Sequence, residues 1–417
     1  MADSSETGSS SPNAGSEQAP ASPATSGSGA AAPLSSGSTG SAGSGQASSG
    51  AVGSSMPTSH TAVSSVGASG HNRFAGDELA IVLSHYDIGV IEKIQPFPRG
   101  SRRAPKVKIQ AESGTYLLKR RSRSRTDPYK VAFAHELQLH LADHQFPLPH
   151  LIGTRRHNNS MLKWGDAVYE LFEFISGTGY DSSLDATGDA GRVLALFHKL
   201  LRSFHTDHEP ASGSYHNATS VYNALKTAPQ TVAQQEPDKN EVQTGKANEL
   251  IEYLGQCYDK AVHEVEALGF SEWPVQIIHS DWHPGNMLFR GSRVVAVIDY
   301  DAARYQPPVV DIANGALQFS MVGGGEDPTQ WPDYLDESRF KRFLRSYDQI
   351  PECVISRAEL KTVPWLMMEA LIAESVIPIA ATGSFARMGG TDFLSMVARK
   401  VRWIHDNANQ LIHLIED

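Results

Sequence analysis

The stretch HSDWHPGNML, residues 279–288, constrains the chain more than any other feature, because it crowds several reactive side chains into ten positions. His279, Asp281 and His283 alternate along it, so on an extended strand they would share one face. Imidazole and carboxylate ligands arranged in that way suit zinc or iron. A metal-dependent hydrolase of this kind needs further ligands downstream, and no cluster of histidines follows the motif.

A second interpretation rests on the interval between Asp281 and Asn286. The same interval separates the aspartate and the asparagine in the catalytic-loop pattern H-R-D-L-x-x-x-N. Phosphoryl transfer needs a carboxylate that orients the attacking hydroxyl and accepts its proton, together with oxygen ligands for Mg²⁺. Asp281 fits the first requirement and Asn286 fits part of the second.

The run after the motif supplies a further acid. Residues 294–298, VVAVI, predict a buried strand, and Asp299 stands at its end. An apolar strand that ends in unpaired acids is costly unless a cation or hydrogen bonds compensate them. Asp301 would face the same way if the strand continued. These acids favour the phosphoryl-transfer interpretation over the metal cage.

Composition sets the broad class of the protein. With 417 residues, 40% of them hydrophobic, the chain can bury the core of a large two-lobed fold. Its two cysteines lie far apart and in no metal-ligand spacing, which disfavours a disulfide framework or a zinc finger. The net charge of -10 disfavours nucleic-acid binding. Since neither a membrane-spanning apolar run nor a secretory signal is recognisable, we expect no membrane association and a cytoplasmic protein.

The first 70 residues differ from the rest, since nearly all are Ser, Gly, Ala, Thr or Pro, as in SSGSTGSAGSGQASSG. Such a segment cannot bury enough apolar surface to offset the entropy lost on ordering. We therefore predict a disordered tail, with a tether or a phosphorylation target as the alternative.

The body begins with a strand-rich region. Strands are predicted at 90–94, 106–110 and 115–120, the last two joined by a hairpin turn at 112–114. A helix follows at 131–141, and two more strands come from LIGTRR (151–156) and AVYELFEFI (167–175). Beyond residue 175 the pattern is mainly helical, with apolar faces at 193–204 and 250–268. The span 205–242 has no strong periodicity, which predicts an insertion or a long loop.

Taken together, IIHSDWHPGNMLF and VVAVIDYDAARYQPPVVDIA resemble the signature of the aminoglycoside phosphotransferase and choline kinase family. The general pattern is similar to the branch with type II homoserine kinases and spore-coat kinase-like proteins. The resemblance covers about residues 78–405. It implies an α+β, bilobal protein-kinase-like fold with a small β-rich N-terminal lobe and a larger, mainly helical C-terminal lobe. The predicted bounds are 1–74 for the tail, 75–175 for the nucleotide-binding lobe and 176–417 for the catalytic and acceptor-binding lobe.

The resemblance assigns roles to the acids and amides of the two segments. Asp281 matches the catalytic base, and Asn286 and Asp299 match the ligands of Mg²⁺. His279 matches the histidine that braces the catalytic loop.

Three neighbours receive supporting roles. Asp301 matches the second acid of the D-x-D/E pattern. Asp311 matches the acid that anchors the loop through backbone hydrogen bonds. His283 precedes Pro284 and Gly285, and it is interpreted as a structural histidine of that turn.

The N-terminal lobe is expected to hold the nucleotide. Lys119, in TYLLKRR, ends a hairpin strand as the third-strand lysine of kinases does, and Glu136, in FAHELQL, is its expected partner. Glu173 and Ile175, just before Gly177, match the hinge that contacts adenine.

A glycine-rich phosphate loop is not recognisable, since PFPRGSRRAPK offers a single glycine. Backbone amides near Gly100 and Ser101 remain candidates for phosphate contacts. The basic run from 99 to 125 is equally well interpreted as a solvated surface.

The function implied by the resemblance is transfer of the γ-phosphate of ATP, with Mg²⁺, to a hydroxyl of a small molecule. One alternative is a kinase-like protein that binds a nucleotide without transferring phosphate. A protein kinase is disfavoured because DYD replaces D-F-G and no A-P-E follows. The stretch 364–388 is expected to line the acceptor pocket. Its Glu369 and Glu374 are interpreted as part of a solvated helix face, with cation binding as the alternative.

Overall fold

The computed structural model describes residues 73–98, 104–122, 125–235, 241–323, 327–386 and 388–416. The predicted tail up to residue 72, and Gly100 and Ser101 with it, lie outside these ranges, so their predictions stay predictions.

The N-terminal lobe contains a five-stranded antiparallel sheet with the spatial order β1-β2-β3-β5-β4. Its strands are β1 (Ile91–Pro96), β2 (Lys106–Ala111), β3 (Gly114–Arg120), β4 (Leu162–Trp164) and β5 (Ala167–Glu173). Burial alternates along β2, so that Val107 and Ile109 face the core. The predicted hairpin is present, because β2 pairs with β3 from Lys106 opposite Lys119 to Ala111 opposite Gly114.

Two helices accompany this sheet. Helix α1 (Gly76–Leu83) packs Val82 and Leu83 into the apolar cluster of the sheet. Helix α2 (Pro128–Asp143) begins with a proline in its first turn, and the Asp127 side chain caps it by accepting a hydrogen bond from the Tyr129 amide. Phe133, Ala134, Leu137 and Leu141 of α2 belong to the core of the larger lobe. Side chains on α2 are thereby held between the sheet and the rest of the protein.

The strand predicted at LIGTRR is not formed. Only Leu151 makes an isolated bridge, to Phe172. Asn158 adopts a left-handed conformation with φ 51°, and its amide donates to the Thr154 carbonyl oxygen at 2.8 Å. The first residues of the segment still bond to β5, since the Ile152 amide donates to the Leu171 carbonyl oxygen at 2.8 Å. Because the turn after them uses the local backbone groups, the pairing stops there, and β4 pairs with the other end of β5.

The C-terminal lobe is mainly helical. Its helices are α3 (Leu184–Leu201), α4 (Thr219–Gln235), α5 (Glu241–Ala267), α6 (Val309–Ser320), α7 (Glu337–Tyr347), α8 (Arg357–Thr382), α9 (Gly390–Asp406) and α10 (Ala408–Glu416). Helix α8 lies at the centre and packs against α4, α5, α6 and α9. It is long and apolar enough to cross a membrane, but 72% of that apolar window is buried inside the fold. Core packing accounts for its composition.

The prediction of a long loop over 205–242 is wrong in its second half, where α4 and the start of α5 lie. The buried residues of α4 do follow a helical period, at Val221, Ala224, Ala228 and Val232. Two of these four are alanines, so the apolar signal is too weak to stand out from the polar residues around it.

The part of this lobe that the structure describes also has three short two-stranded ladders: β6 (Gln276–Ile278) with β9 (Arg304–Gln306), β7 (Met287–Arg290) with β8 (Arg293–Val297), and β10 (Ser384–Phe385) with β11 (Met388–Gly389). The first two ladders enclose the 279–288 motif and the acids after residue 298. The predicted α+β class, with a β-rich lobe before a helical one, is confirmed.

Candidate active site

The 279–288 motif forms the loop between β6 and β7. Its second half is a single 3-10 turn, Pro284–Asn286, preceded by the extended residue His283. The His283 Nδ1 atom accepts a hydrogen bond from the Gly285 amide at 3.0 Å, which caps the turn. This contact gives His283 a structural role in the loop.

Asp281 and Asn286 face each other across this turn. The Asn286 carboxamide donates to the Asp281 carboxylate oxygen Oδ2 at 2.8 Å and to the Asp281 backbone oxygen at 3.0 Å. His283 Nε2 lies 3.4 Å from the other carboxylate oxygen. Burial raises the pKa of Asp281, but the nearby His283 and the hydrogen bond from Asn286 lower it, and the pKa lies below its ordinary value. Asp281 is therefore ionised at neutral pH, and its side chain keeps 25% of its surface exposed.

Asp311, in the first turn of α6, holds the backbone of this loop. Its fully buried carboxylate accepts hydrogen bonds from the amides of His279 at 2.7 Å and Ser280 at 2.8 Å. His198 Nε2 lies 3.2 Å from the same carboxylate. These are the backbone contacts expected of Asp311, and they fix the residue that precedes Asp281.

His279 is fully buried among aromatic rings. Its ring lies 5.4 Å from that of Trp282 and 5.2 Å from that of Tyr300, and burial lowers its pKa, so the imidazole is neutral. Across the part of the chain that the structure describes, no group of three or more His, Cys, Asp or Glu is arranged to hold a metal ion. The cage of His279, Asp281 and His283 considered from the sequence is therefore not formed.

Asp299 follows β8 in a strained conformation. Its backbone is left-handed, with φ 67° and ψ 68°, which is unusual for a residue other than glycine. Among the described residues no side chain or backbone group forms a hydrogen bond or an ion pair with its carboxylate. Asp301 is turned elsewhere, with Oδ2 at 2.6 Å from Arg121 and 3.6 Å from Arg125. The two acids therefore do not act as a pair.

Lys119 is ion-paired with Glu170, not with Glu136. The Lys119 ammonium lies 3.3 Å from Glu170, which is its cross-strand partner on β5. Burial lowers the pKa of Lys119, but the charges of Glu170 and Asp301 raise it above its ordinary value. Glu136 instead accepts a hydrogen bond from the Thr206 hydroxyl. The predicted pairing is wrong because the adjacent residue of α2, His135, is the one that faces the sheet.

The predicted hinge residues lie where β5 leaves the sheet. Glu173 is the last residue of β5, and Ile175 follows it outside regular structure. Directly after Gly177 the chain reaches the other lobe, since the Thr178 amide donates to the Phe289 carbonyl oxygen at 2.8 Å. The segment is thus a crossing between the lobes, and its contact with adenine stays a prediction.

Three charged residues beside Lys119 are not among those predicted from the sequence. Glu170 and Arg121 form an ion pair at 2.5 Å behind Lys119. Lys106 stands opposite Lys119 on β2, where burial and the charge of Lys119 lower its pKa. The alternation of strand residues was the available signal, because Lys119 and Arg121 are two positions apart and so share a face.

Two acids of α8 are not on a solvated face, which corrects that interpretation. Glu369 is fully buried and lies 3.0 Å from His216 Nδ1. Glu374 accepts a hydrogen bond from the Gln318 carboxamide at 2.6 Å. Burial, followed by the charge of Asp281, raises the pKa of Glu374 to about 7. Glu374 thus belongs to the surroundings of Asp281.

Several solved structures share this architecture. An amicoumacin kinase, hAmiN, in complex with AMP-PNP, Ca²⁺ and Ami, aligns with a TM-score of 0.57 and 15% identity over 80% of this chain and 94% of its own. An aminoglycoside phosphotransferase from Alicyclobacillus acidocaldarius aligns with a TM-score of 0.57 and 16% identity over 80% of this chain and 95% of its own. A microcompartment-associated aminopropanol kinase aligns with a TM-score of 0.55 and 14% identity over 79% of this chain and 97% of its own. The predicted bilobal protein-kinase-like fold is confirmed.

Comparison with curated protein sequences finds no match. A family model, described as the phosphotransferase enzyme family, matches residues 93–349. This range is more than half of the 417 residues, and it contains Lys119, the 279–288 motif and Asp299. The chain therefore belongs to the phosphotransferase enzyme family.

Proposed function

We propose that the protein is a kinase that transfers the γ-phosphate of ATP, with Mg²⁺, to a hydroxyl group of a small molecule. The observation that carries the proposal is the side-chain pair of Asp281 and Asn286, joined at 2.8 Å on a loop whose backbone is anchored by Asp311. The spacing of the two residues matches a phosphoryl-transfer loop, and their side chains meet within one site.

A divalent cation fits the donor set beside this pair. Mg²⁺ prefers carboxylate and amide oxygens together with phosphate oxygens, and Asn286 and Asp299 offer both types. The strained backbone of Asp299 and its carboxylate without a partner among the described residues are costs that a bound cation would offset. When bound, the cation supplies positive charge that neutralises the phosphate oxygens.

Lys119 is suited to hold the phosphates of the nucleotide. Its pKa is raised, so its ammonium group is charged at neutral pH, and 22% of the side chain is exposed. Because Glu170 takes only one side of the ammonium group, its remaining N–H donors are available to phosphate oxygens.

Asp281 is suited to act on the acceptor. An ionised carboxylate held by Asn286 can accept a hydrogen bond from a hydroxyl and receive its proton as the oxygen attacks phosphorus. Asn286 restricts the rotation of that carboxylate, so one oxygen is held and the other faces His283. Orientation of this kind contributes to the rate because it lowers the entropy lost in reaching the transition state.

The acceptor would lie beside Glu374 and Gln318. Glu374 is close enough to Asp281 that the charge of Asp281 raises its pKa. Gln318 joins α6 to α8 through its hydrogen bond to Glu374. The buried Gln318 Oε1 atom has no hydrogen-bond partner among the described residues. A carboxyl group and a free amide oxygen favour an acceptor that carries hydrogen-bond donors besides the reacting hydroxyl.

The test is ADP formation by the purified protein from ATP and Mg²⁺, with hydroxylated amines, amino alcohols and sugars supplied one at a time. We expect at least one compound to raise ADP formation above the rate without acceptor, and mass spectrometry to find the phosphorylated product. Nucleotide binding without any acceptor-dependent ADP would instead favour the alternative, a nucleotide-binding protein without phosphotransfer.

A further inference from the structure

Arg121 directly follows β3, and its side chain lies on the same side of the sheet as Lys119 and on the opposite side from Arg120. Arg120 forms an ion pair with Glu78 of α1 at 2.7 Å. Arg121 points to the other side, where it is buried and forms ion pairs with two acids from different parts of the chain. The two adjacent arginines thus serve different surfaces of the sheet.

The first acid is Glu170, which is only 1% exposed. Its Oε1 atom accepts hydrogen bonds from Arg121 at 2.5 Å and from His135 Nε2 at 2.7 Å, while its Oε2 atom lies 3.3 Å from the Lys119 ammonium. The two oxygens are therefore assigned to different partners. Because Arg121 and His135 hold the first oxygen, the carboxylate cannot rotate, and the position of its second oxygen beside Lys119 is fixed.

The second acid is Asp301, at 2.6 Å from the Arg121 guanidinium. Asp301 lies in the 3-10 turn Tyr300–Ala302 that follows Asp299 directly. The remaining Arg121 nitrogen, Nε, donates to the Arg125 carbonyl oxygen at 2.7 Å. All three guanidinium nitrogens are thus engaged, which fixes the orientation of the group.

We propose that Arg121 is a positioning residue that sets Lys119 and Asp299 relative to each other. On one side it acts on Lys119 through Glu170, and on the other it acts on Asp299 through Asp301. The inference rests on the proposed function, in which Lys119 holds phosphate oxygens and Asp299 holds the cation bound to the same phosphates. A guanidinium fork can bridge two carboxylates in fixed geometry, which a single ammonium group cannot do.

Helix α2 contributes a histidine to this cluster, and not the acid that was predicted from the sequence. Helix α2 supplies His135 and no acid to the cluster, and Glu136 is engaged by Thr206 in the other direction. His135 is itself held by Ser160, whose hydroxyl oxygen lies 2.8 Å from Nδ1. The acid that orients Lys119 therefore comes from the sheet, and Arg121 is its link to the cation side of the site.

The experiment measures equilibrium binding of a non-hydrolysable ATP analogue at several Mg²⁺ concentrations, by isothermal titration of the full chain. It needs no acceptor. For Arg121→Met we expect the affinity measured with saturating Mg²⁺ to fall roughly tenfold, and the affinity without Mg²⁺ to fall much less. Arg121→Lys, which keeps the charge and lacks the fork, should lie between Arg121→Met and the wild type.

Arg120→Met is the matched control, since it removes the neighbouring arginine and the ion pair with Glu78 on the opposite face. Its Mg²⁺ dependence should match that of the wild type. The double variant Asp301→Asn/Arg121→Met should bind the analogue with little less affinity than Arg121→Met alone, because Arg121→Met already breaks the ion pair between Arg121 and Asp301.

Two results would overturn the inference. One is an equal loss of affinity with and without Mg²⁺ in Arg121→Met, and the other is a double variant whose losses multiply. Thermal unfolding of each variant identifies misfolding, and if Arg121→Met does not fold, Arg121→Lys carries the same comparison. A wild type that binds the analogue but turns over no acceptor contradicts only the phosphotransfer step, whereas one that binds no nucleotide overturns both proposals.

Discussion

Asn286, the last residue of the turn Pro284–Asn286, donates a hydrogen bond from its side chain to the Asp281 carboxylate at 2.8 Å. This contact holds the carboxylate in one rotation while leaving part of it exposed. A group oriented in this way loses little entropy when a hydroxyl approaches it.

Replacing Asp281 with Asn should remove proton acceptance while keeping the size of the side chain. We expect acceptor-dependent ADP formation to fall by about 100-fold to 10,000-fold, the usual contribution of a general base. Nucleotide affinity should change by less than about threefold, since proton transfer contributes to the transition state rather than to ground-state binding. Steady-state rates and analogue binding measure the two effects.

Asp143→Asn provides the control for this substitution, because Asp143 is an exposed aspartate at the end of α2. Its turnover should equal that of the wild type. Near-normal turnover by Asp281→Asn would show that another group accepts the proton.

Asp311→Asn tests the anchor of the same loop. The buried Asp311 carboxylate accepts from two backbone amides, and a carboxamide would turn an NH₂ group toward one of them. We expect the free energy of unfolding to fall by about 3 kcal/mol, because a buried amide loses its acceptor and a charge-assisted bond is lost. Urea denaturation measures this change. A loss no greater than that of Asp143→Asn would contradict the anchoring role.

Much of this site could be predicted because its signals are local in sequence. Asp281 and Asn286 lie within one loop, and Asp299 ends the next predicted strand, so spacing alone brings them close together. The β2–β3 hairpin was equally accessible, since a turn at 112–114 determines the register that sets Lys106 opposite Lys119.

The partner of Lys119 could not be predicted in the same way. His135 and Glu136 are adjacent on α2, so they point in directions about 100° apart on a 3.6-residue helix. Which of them faces the sheet depends on how α2 packs against the larger lobe, and no local pattern records that rotation. The surroundings of Glu374 pose the same problem, because α6 and α8 meet only in the folded protein.

Glu374 should make stability depend on pH. Burial and the charge of Asp281 raise its pKa from 4.5 to about 7. The folded state therefore binds the proton more tightly than the unfolded chain, and the contribution to stability is present below pH 4.5 and is lost as the pH rises to about 7. Glu374→Gln removes this titration. Its stability relative to the wild type should therefore increase between pH 5 and pH 7, as measured by urea denaturation at each pH.

Glu249→Gln is the control for this titration, since Glu249 is an exposed glutamate on α5. Its unfolding free energy should follow that of the wild type at every pH. A difference between Glu374→Gln and the wild type that stays constant across this range would mean that Glu374 does not titrate there.

Lys400, on α9, is a fully buried lysine whose ammonium group donates to three backbone carbonyl oxygens. The acceptors are Val322 at 2.9 Å, Pro332 at 2.7 Å and Tyr334 at 3.2 Å, all in the segment between α6 and α7. Burial lowers the pKa of Lys400 to about 8, so the three carbonyl oxygens offset only part of the loss of hydration.

Lys400→Met keeps the length of the side chain but leaves those carbonyl oxygens without their donor. We expect the free energy of unfolding to fall by about 3 kcal/mol, because each buried acceptor left unpaired is costly. The segment between α6 and α7 should also become more sensitive to proteolysis, since one of its attachments to α9 is lost and only others, such as those from Arg399, remain. Lys226→Met, at an exposed position of α4, should change neither quantity. Cleavage of Lys400→Met at the wild-type rate would show that other contacts hold the segment.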